Sequence, residues 1–254
     1  MVLLEAVNVS KTFRNGDQQT DVLKDINLQI RRGEFATIMG PSGSGKSTLL
    51  YAMSGLDRVT CGRVLLNGRN LAELDEDELA DIRLHRIGMI FQHMHMMRSL
   101  TLQDNIVLSA FLARKRNRKS ILQKAADLMK LTGIAHLADR DITRVSGGQL
   151  QRAAICRALM NDPDILFGDE PTGALNSQAA HDIMQLLADI HRQGMTILLV
   201  THDPRVAAWS ERVLFMLDGR LAAEIRLGIP AGDSAEERKE RENRLTDWLK
   251  AQRF

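Results

Sequence analysis

The sequence predicts an α/β protein. Its parts are a core with a parallel sheet, a small antiparallel β-subdomain and an inserted helical subdomain. Three observations predict it. Short apolar runs such as Phe35–Met39, Ile165–Phe167 and Thr196–Val200 have the length and composition of strands buried on both faces. Amphipathic stretches of helical period lie between them, and strands alternating with helices build a parallel sheet covered on both sides. One long block, His93 to Arg144, carries helical periodicity with almost no strand character.

The bulk numbers narrow the class. A chain of 254 residues with 44% hydrophobic and 26% charged residues is an ordinary globular protein that can bury a core without staples. A net charge of +2 gives no global drive toward nucleic acid or membrane surfaces. No apolar run approaches the ~20 residues that span a bilayer. The start, Met1–Glu5, lacks a charged region followed by a long apolar stretch, so no signal peptide is expected. Cys61 and Cys156 form no metal or disulfide spacing, as for packed thiols in a reducing compartment. A cytoplasmic protein is expected.

In chain order, residues 3 to 9 and 22 to 30 read as strands around the polar turn Arg14–Asp17, and Arg63–Leu66 as a short strand beside them. Leu74 to His85 reads as a helix, acidic at its start as the helix dipole favours. Ile87–Phe91 is a core strand ending at Gln92. Thr101 is placed to cap a helix, with Asp104 three residues on. Arg114 to Lys119 reads as a basic, solvated turn, and Ile121 to Leu131 as an amphipathic helix. Gln149 to Leu159 and Ser177 to Gln193 are helical, and residues 213 to 217 and 221 to 225 form a hairpin around Asp218-Gly219. The tail from Gly228 carries Ser234 before a mixed-sign run and a narrow stripe of Leu245, Trp248 and Leu249. That helix docks either on its own domain or on a partner. Residues 1–227 are expected to form the main domain, with the helical subdomain at about 93–163 and a tail at 228–254.

The chemistry starts at Gly40-Pro41-Ser42-Gly43-Ser44-Gly45-Lys46-Ser47-Thr48, which matches the phosphate-binding loop G-x-x-x-x-G-K-[ST]. Glycines let backbone N–H groups point into one concavity, and a helix starting near Lys46 adds its positive end. Lys46 brings a charge to the β- and γ-phosphates, and the Ser47 hydroxyl suits Mg2+. Downstream, Ile165–Phe167 runs through Gly168 into Asp169-Glu170. Asp169 at a strand end suits the metal, and Glu170 can polarise an attacking water.

Ser146-Gly147-Gly148-Gln149, with Val145 before it and Leu150-Gln151-Arg152 after it, is again an anion-binding design of hydroxyl, glycine N–H groups and helix start. Here the chain resembles the ATP-binding-cassette (ABC) family, whose signature loop this is close to; Val145 stands where Leu is commoner. The resemblance covers roughly residues 3 to 225 and implies further roles. Gln92 contacts Mg2+ and the attacking water, and links the nucleotide to the helical subdomain. His202, in Thr201-His202-Asp203, contacts the γ-phosphate. Phe13 takes the place of the aromatic that stacks on adenine. Ala174, Leu175 and Asn176 form the loop that crosses the dimer interface, with Asn176 where Asp is usual.

Phe91-Gln92, Leu100–Asn105, Asp169–Gly173 and Thr201–Pro204 look like one subgroup, the lipoprotein-releasing, macrolide-exporting and antimicrobial-peptide-exporting ATPases; the last is nearest, partly through the helical tail. The resemblance implies an ATPase that binds ATP with Mg2+ in a head-to-tail homodimer. Lys46 and Ser47 of one chain then face Ser146 and Gly148 of the other. It also implies an integral-membrane permease subunit docked in a groove near Gln92 and the helical subdomain, at the cytoplasmic face of the inner membrane, and no nucleic acid. The alternatives are a cassette ATPase acting on nucleic acid or ribosomes through Arg114–Lys119, and an ATP-gated mechanical regulator of a membrane partner.

Overall fold

The computed structural model describes every residue except 17, 231–233 and 253–254. In chain order the elements are β1 (Val2–Asn15), β2 (Gln18–Arg31), β3 (Phe35–Met39), α1 (Lys46–Met53), β4 (Cys61–Leu66), β5 (Arg69–Asn70), α2 (Glu76–Arg86), β6 (Ile87–Ile90), α3 (Leu102–Ala113), α4 (Arg118–Leu131), α5 (Gly147–Leu159), β7 (Ile165–Asp169), α6 (Ser177–Arg192), β8 (Thr196–Val200), α7 (Pro204–Ala207), β9 (Arg212–Leu217), β10 (Arg220–Arg226) and α8 (Ala235–Ala251). They divide into two compact units, Met1–Leu79 with Gly194–Phe254, and Ala80–Gln193.

The first unit holds the antiparallel sheet, in the order β2-β1-β4-β5. β1 pairs with β2 from Leu4↔Ile30 out to Asn15↔Gln18, with bulges on the way. The hairpin is longer at its turn end than the apolar pattern predicts. Its outer half, with Thr12 opposite Asp21 and Arg14 opposite Gln19, is held by the backbone ladder and not by burial. Beside it run β10-β9-β3-β8. β3 is parallel to both β8 and β9, with Ile38 opposite Val200 and Leu214. β3 and β8 are buried along their whole length, as strands covered on both faces must be.

The tail settles on this same unit. Leu245 and Leu249 of α8 join Met39, Ala207, Val213, Phe215 and Leu227 in one buried cluster. Each such leucine contributes about 2 kcal/mol by leaving water. Trp248 meets Phe215 edge to face at 6.3 Å. Ser234 Oγ caps the helix by accepting from Glu237 N–H at 3.1 Å.

In the second unit β6 and β7 are parallel, with Ile90 opposite Gly168. Helices α3, α4 and α5 close over a core that includes Leu102, Ile106, Ile121, Ala125, Ala153 and Cys156. Thr101 caps α3, its Oγ1 accepting from Asp104 N–H at 3.1 Å. Asn117 caps α4 by accepting from Ser120 N–H at 2.9 Å, so the helix starts at Arg118, three residues before the apolar stripe. Within the basic run, Arg116 pairs with Asp162 and donates to the Met160 carbonyl.

The two cysteines differ sharply. Cys61 is exposed, whereas burial pushes the Cys156 thiol up to about 12, against a hydrogen bond with Thr132. A thiol held that far above its ordinary value is inert. A maleimide at mildly alkaline pH is expected to label Cys61 in the folded chain and Cys156 only after denaturation, read by mass spectrometry of the peptides.

Candidate nucleotide-binding site

Each unit carries its share of the predicted residues at the carboxyl ends of its parallel strands. In the first unit β3 delivers the chain into Gly40. A Cβ there would lie 2.1 Å from the Met216 carbonyl oxygen, so no other residue fits. Gly45 has φ +100, and a Cβ would meet the Val22 carbonyl at 2.9 Å. The loop between them is exposed at Ser42 and Gly43 and buried at Ser44. Ser44 Oγ is buried with no hydrogen-bond partner among the described residues.

α1 begins at Lys46 with Gly45 as its N-cap and no side-chain cap on its first turn. Its leading N–H groups therefore form a seat for an anion. Lys46 is buried and folds back over the loop, donating to the Gly40 and Pro41 carbonyls at 2.9 Å each. Ser47 and Thr48 follow in the first turn, half-buried.

Two more predicted residues lie in this unit. Phe13 sits on β1 with 45% of its surface exposed, so it is not a core residue of the small sheet. Lys11 places Nζ 4.7 Å from the ring centroid, held there by Asp57 at 2.6 Å and the Arg58 carbonyl at 2.7 Å. Sequence reasoning missed Lys11; its place two residues before the aromatic, on the same strand face, was the available signal.

His202 follows β8. Thr201 N–H donates to the Ile38 carbonyl at 3.1 Å, and Thr201 Oγ1 accepts from Asp203 N–H at 3.1 Å. Asp203 caps α7 and grips the Arg205 guanidinium. Burial would raise the Asp203 carboxyl, but the Arg205 hydrogen bonds and charge hold it below the usual carboxylate range. The exposed His202 ring thus stands on a segment pinned on both sides.

In the second unit β7 ends at the buried Asp169. Glu170 has φ +46, a left-handed conformation that costs a non-glycine residue about 1 kcal/mol and is kept at functional turns. Gly173 N–H returns to the Glu170 carbonyl at 3.0 Å. Gln92 Nε2 lies 3.0 Å from where a Gly173 Cβ would be, so the structure brings Gln92 against the loop that follows Glu170. Arg157 of α5 fixes the next residues, donating to the Met94 carbonyl at 2.6 Å and the His95 carbonyl at 3.1 Å. Nothing in the spacing pointed to Arg157.

Ser146 is the N-cap of α5, in a full capping box. Ser146 Oγ accepts from Gln149 N–H at 3.3 Å, and Gln149 Oε1 accepts from Ser146 N–H at 2.8 Å. Gly147 and Gly148 form the first turn of the helix. Past Ala174 and Leu175, Asn176 caps α6, its Oδ1 accepting from Ala179 N–H at 2.9 Å. Asn caps as well as Asp does, so the departure at this position keeps the local structure and drops only the charge.

The candidate metal donors are oxygens: the Ser47 hydroxyl, the Asp169 carboxylate and the Gln92 amide. Ser47 lies in the first unit and the other two in the second; each is the kind of donor that suits Mg2+, which keeps several waters and shares itself with phosphates. No cluster of three or more His, Cys, Asp or Glu able to hold a metal occurs among the described residues.

A glycine cradle between a buried strand and an uncapped helix start, at the carboxyl edge of parallel strands, defines a P-loop nucleotide-binding α/β protein. The chain belongs to the ABC transporter family, whose model matches residues 23–173. It is 42% identical over 224 residues to the macrolide export ATP-binding/permease protein MacB of Shewanella sp. (strain W3-18-1), covering 88% of this chain and 34% of that protein. The chain thus spans about a third of the length of the curated relatives it matches. Among solved structures it is similar to the dimeric ATP-binding cassette MJ0796 in a post-hydrolysis state bound to ADP and Pi. The TM-score is 0.83 with 38% identity over 89% of this chain and 99% of that one. CbiO1 of Clostridium perfringens, part of the ABC transporter complex cbiONQ, follows at TM-score 0.79 and 29% identity, covering 89% of this chain and 88% of that one.

If Asn176 acts through its cap, Asn176→Ala is expected to lower stability by about 1 kcal/mol, while Asn176→Asp leaves it within about 0.5 kcal/mol. Urea unfolding followed by circular dichroism measures both.

Proposed function

We propose that this chain binds and hydrolyses ATP to energise export or extraction of a substrate through a membrane permease. The observation that carries the reading is the cradle from Gly40 to Ser47 in a chain of the ABC transporter family. The MacB relatives unite an ATP-binding part and a permease part in one protein. No helix among the described residues is long and apolar enough to cross a membrane. In this reading a permease part supplies the spans, and this chain works at the cytoplasmic face of the inner membrane, docked through a groove near Gln92 and the helical subdomain.

The residues take these roles. Backbone N–H groups of Gly40 to Thr48 and the Lys46 ammonium bind the phosphates, and Phe13 stacks on adenine. Ser47, Gln92 and Asp169 would be the residues to hold Mg2+. Bound with ATP, the metal neutralises charge on the phosphates. Glu170 orients and polarises the attacking water, and His202 contacts the γ-phosphate. Ser146, Gly147, Gly148 and Gln149 reach the nucleotide of a second copy, and residues 174 to 176 cross the interface. Two solved structures of the similar MJ0796 cassette are dimeric, which supports this arrangement. The nucleic-acid reading is not favoured, since Arg116 of the basic run is occupied by Asp162.

Glu170→Gln is expected to cut ATP turnover at least about a hundredfold with ATP affinity kept. Parental turnover in that variant would remove Glu170 from its role. Phe13→Ala is expected to weaken ATP binding roughly tenfold and GTP or UTP binding by a comparable factor, because stacking is tolerant of the base. Titration calorimetry of the Glu170→Gln background reads this without turnover.

A further inference from the structure

Helix α8 lies outside the residues the family model matches, and its first half is a run of mixed charge. The structure makes one residue of that run a core residue. Arg241 is 8% exposed. Its guanidinium donates from Nε to the Ala208 carbonyl at 2.9 Å, from Nη1 to the Leu227 carbonyl at 3.1 Å and from Nη2 to the Ser210 carbonyl at 2.7 Å. A buried cation is expensive, and charge-assisted bonds to three carbonyls are what hold it in place. Removing the guanidinium leaves those buried acceptors short of partners.

The acceptors are informative. Ala208 is the C-cap of α7, and Ser210 lies in the turn from α7 into β9. α7 itself begins two residues after His202, at Pro204. Two more contacts and a charge effect link α8 to the same segment. Arg238 lies over the Trp209 ring at 5.7 Å. Leu245 packs in the cluster that contains Ala207 and Ala208. The Arg205 guanidinium is held above its ordinary value first by its bond to Asp203, and also by the charge of Glu242 on α8. That cluster also includes Met39, the residue before the phosphate loop. A four-residue helix such as α7 has too few internal hydrogen bonds to hold its own position. Its place is set by what it packs against.

We propose that α8 is a brace for the His202 segment and that Arg241 is a positioning residue for His202, acting through Ala208 and Ser210 on α7. The inference rests on the role proposed for His202. With the clamp made, α7 and the turn before it stay in register at the end of β8. With it broken, α7 frays, and His202 spends less time where the γ-phosphate needs it. ATP binding, which depends on the cradle from Gly40 to Thr48, is left in place.

The test uses the full chain with ATP and magnesium, as parent, Arg241→Ala, His202→Ala and the double variant. Arg241→Ala is expected to lower kcat about tenfold with KM for ATP changed less than about twofold. In the His202→Ala background the same change is expected to lower kcat less than about twofold, the non-additivity of two residues acting as one. Amide exchange in the nucleotide-free chain gives a second readout: in Arg241→Ala it accelerates about tenfold across 204–210 and stays within about twofold across α1. Should Arg241→Ala not fold, Arg241→Lys, which replaces a three-pronged donor with a single ammonium, is expected to show the same pattern at about threefold.

Equal kcat losses in both backgrounds, unchanged exchange across 204–210, or a raised KM at parental kcat would each overturn the brace. Parental kcat in His202→Ala alone would overturn the His202 assignment, and this inference with it. That outcome is distinguishable from failure of the brace by itself.

Discussion

Parallel pairing of β3 between β8 and β9 is the constraint on which the rest of the first unit depends. Ile38 stands opposite both Val200 and Leu214, so the three strands end at one edge. Next in register come Gly40, Thr201-His202 and Met216, the last still within β9. Open α/β sheets bind ligands at that edge because the loops and helix N-termini there point outward together. The Met216 carbonyl then forbids any side chain at residue 40. A glycine at that position follows from the strand order, before any nucleotide is considered. The second unit repeats the logic in a shorter form. β6 and β7 run parallel, and their ends release Gln92 and Asp169-Glu170.

Charge is handled in two ways. At the cradle, a buried Lys46 ammonium is satisfied by two carbonyls of the loop it serves. Such bonds to neutral oxygens are readily exchanged for bonds to a more strongly charged oxygen. Away from the cradle, a half-buried and a buried cation act as fasteners. Arg157 ties α5 to the residues after Gln92, and Arg241 ties α8 to those after α7. Both read as ordinary helix-surface residues in sequence, because a guanidinium that binds only backbone carbonyls leaves no charged partner to find by spacing.

The core strands, the glycine loop, the acid after β7 and the capped signature helix were all legible in the sequence, since each depends on local pattern: apolar run length, φ-permissive residues or a cap three residues from the N–H that donates to it. The outer half of the β1–β2 hairpin was not, because its ladder is held by backbone bonds among polar residues that show no alternation. Stacking of Lys11 on Phe13, the approach of Gln92 to Gly173 and the burial of Arg241 were also hidden. The first left only the two-residue spacing along β1 as a trace, and the other two are contacts between residues far apart in sequence. The docking face of α8 was half-visible: Leu245, Trp248 and Leu249 announce an apolar stripe, and only the structure shows Phe215 and Ala207 beneath it.

In the proposed dimer the cradle and the signature loop serve different copies of the chain, so that ATP is a shared ligand. Mixing two defective variants tests it directly. A Lys46→Ala chain lacks the phosphate clamp and keeps Ser146; a Ser146→Ala chain keeps the clamp and lacks the signature hydroxyl. If the site is shared, a mixed dimer contains one composite site with Lys46 from one chain and Ser146 from the other. The mixture then hydrolyses ATP at a rate that neither variant reaches alone, rising with the fraction of mixed dimer. If the mixture shows only the sum of the two separate rates at every ratio, the shared-site account is contradicted.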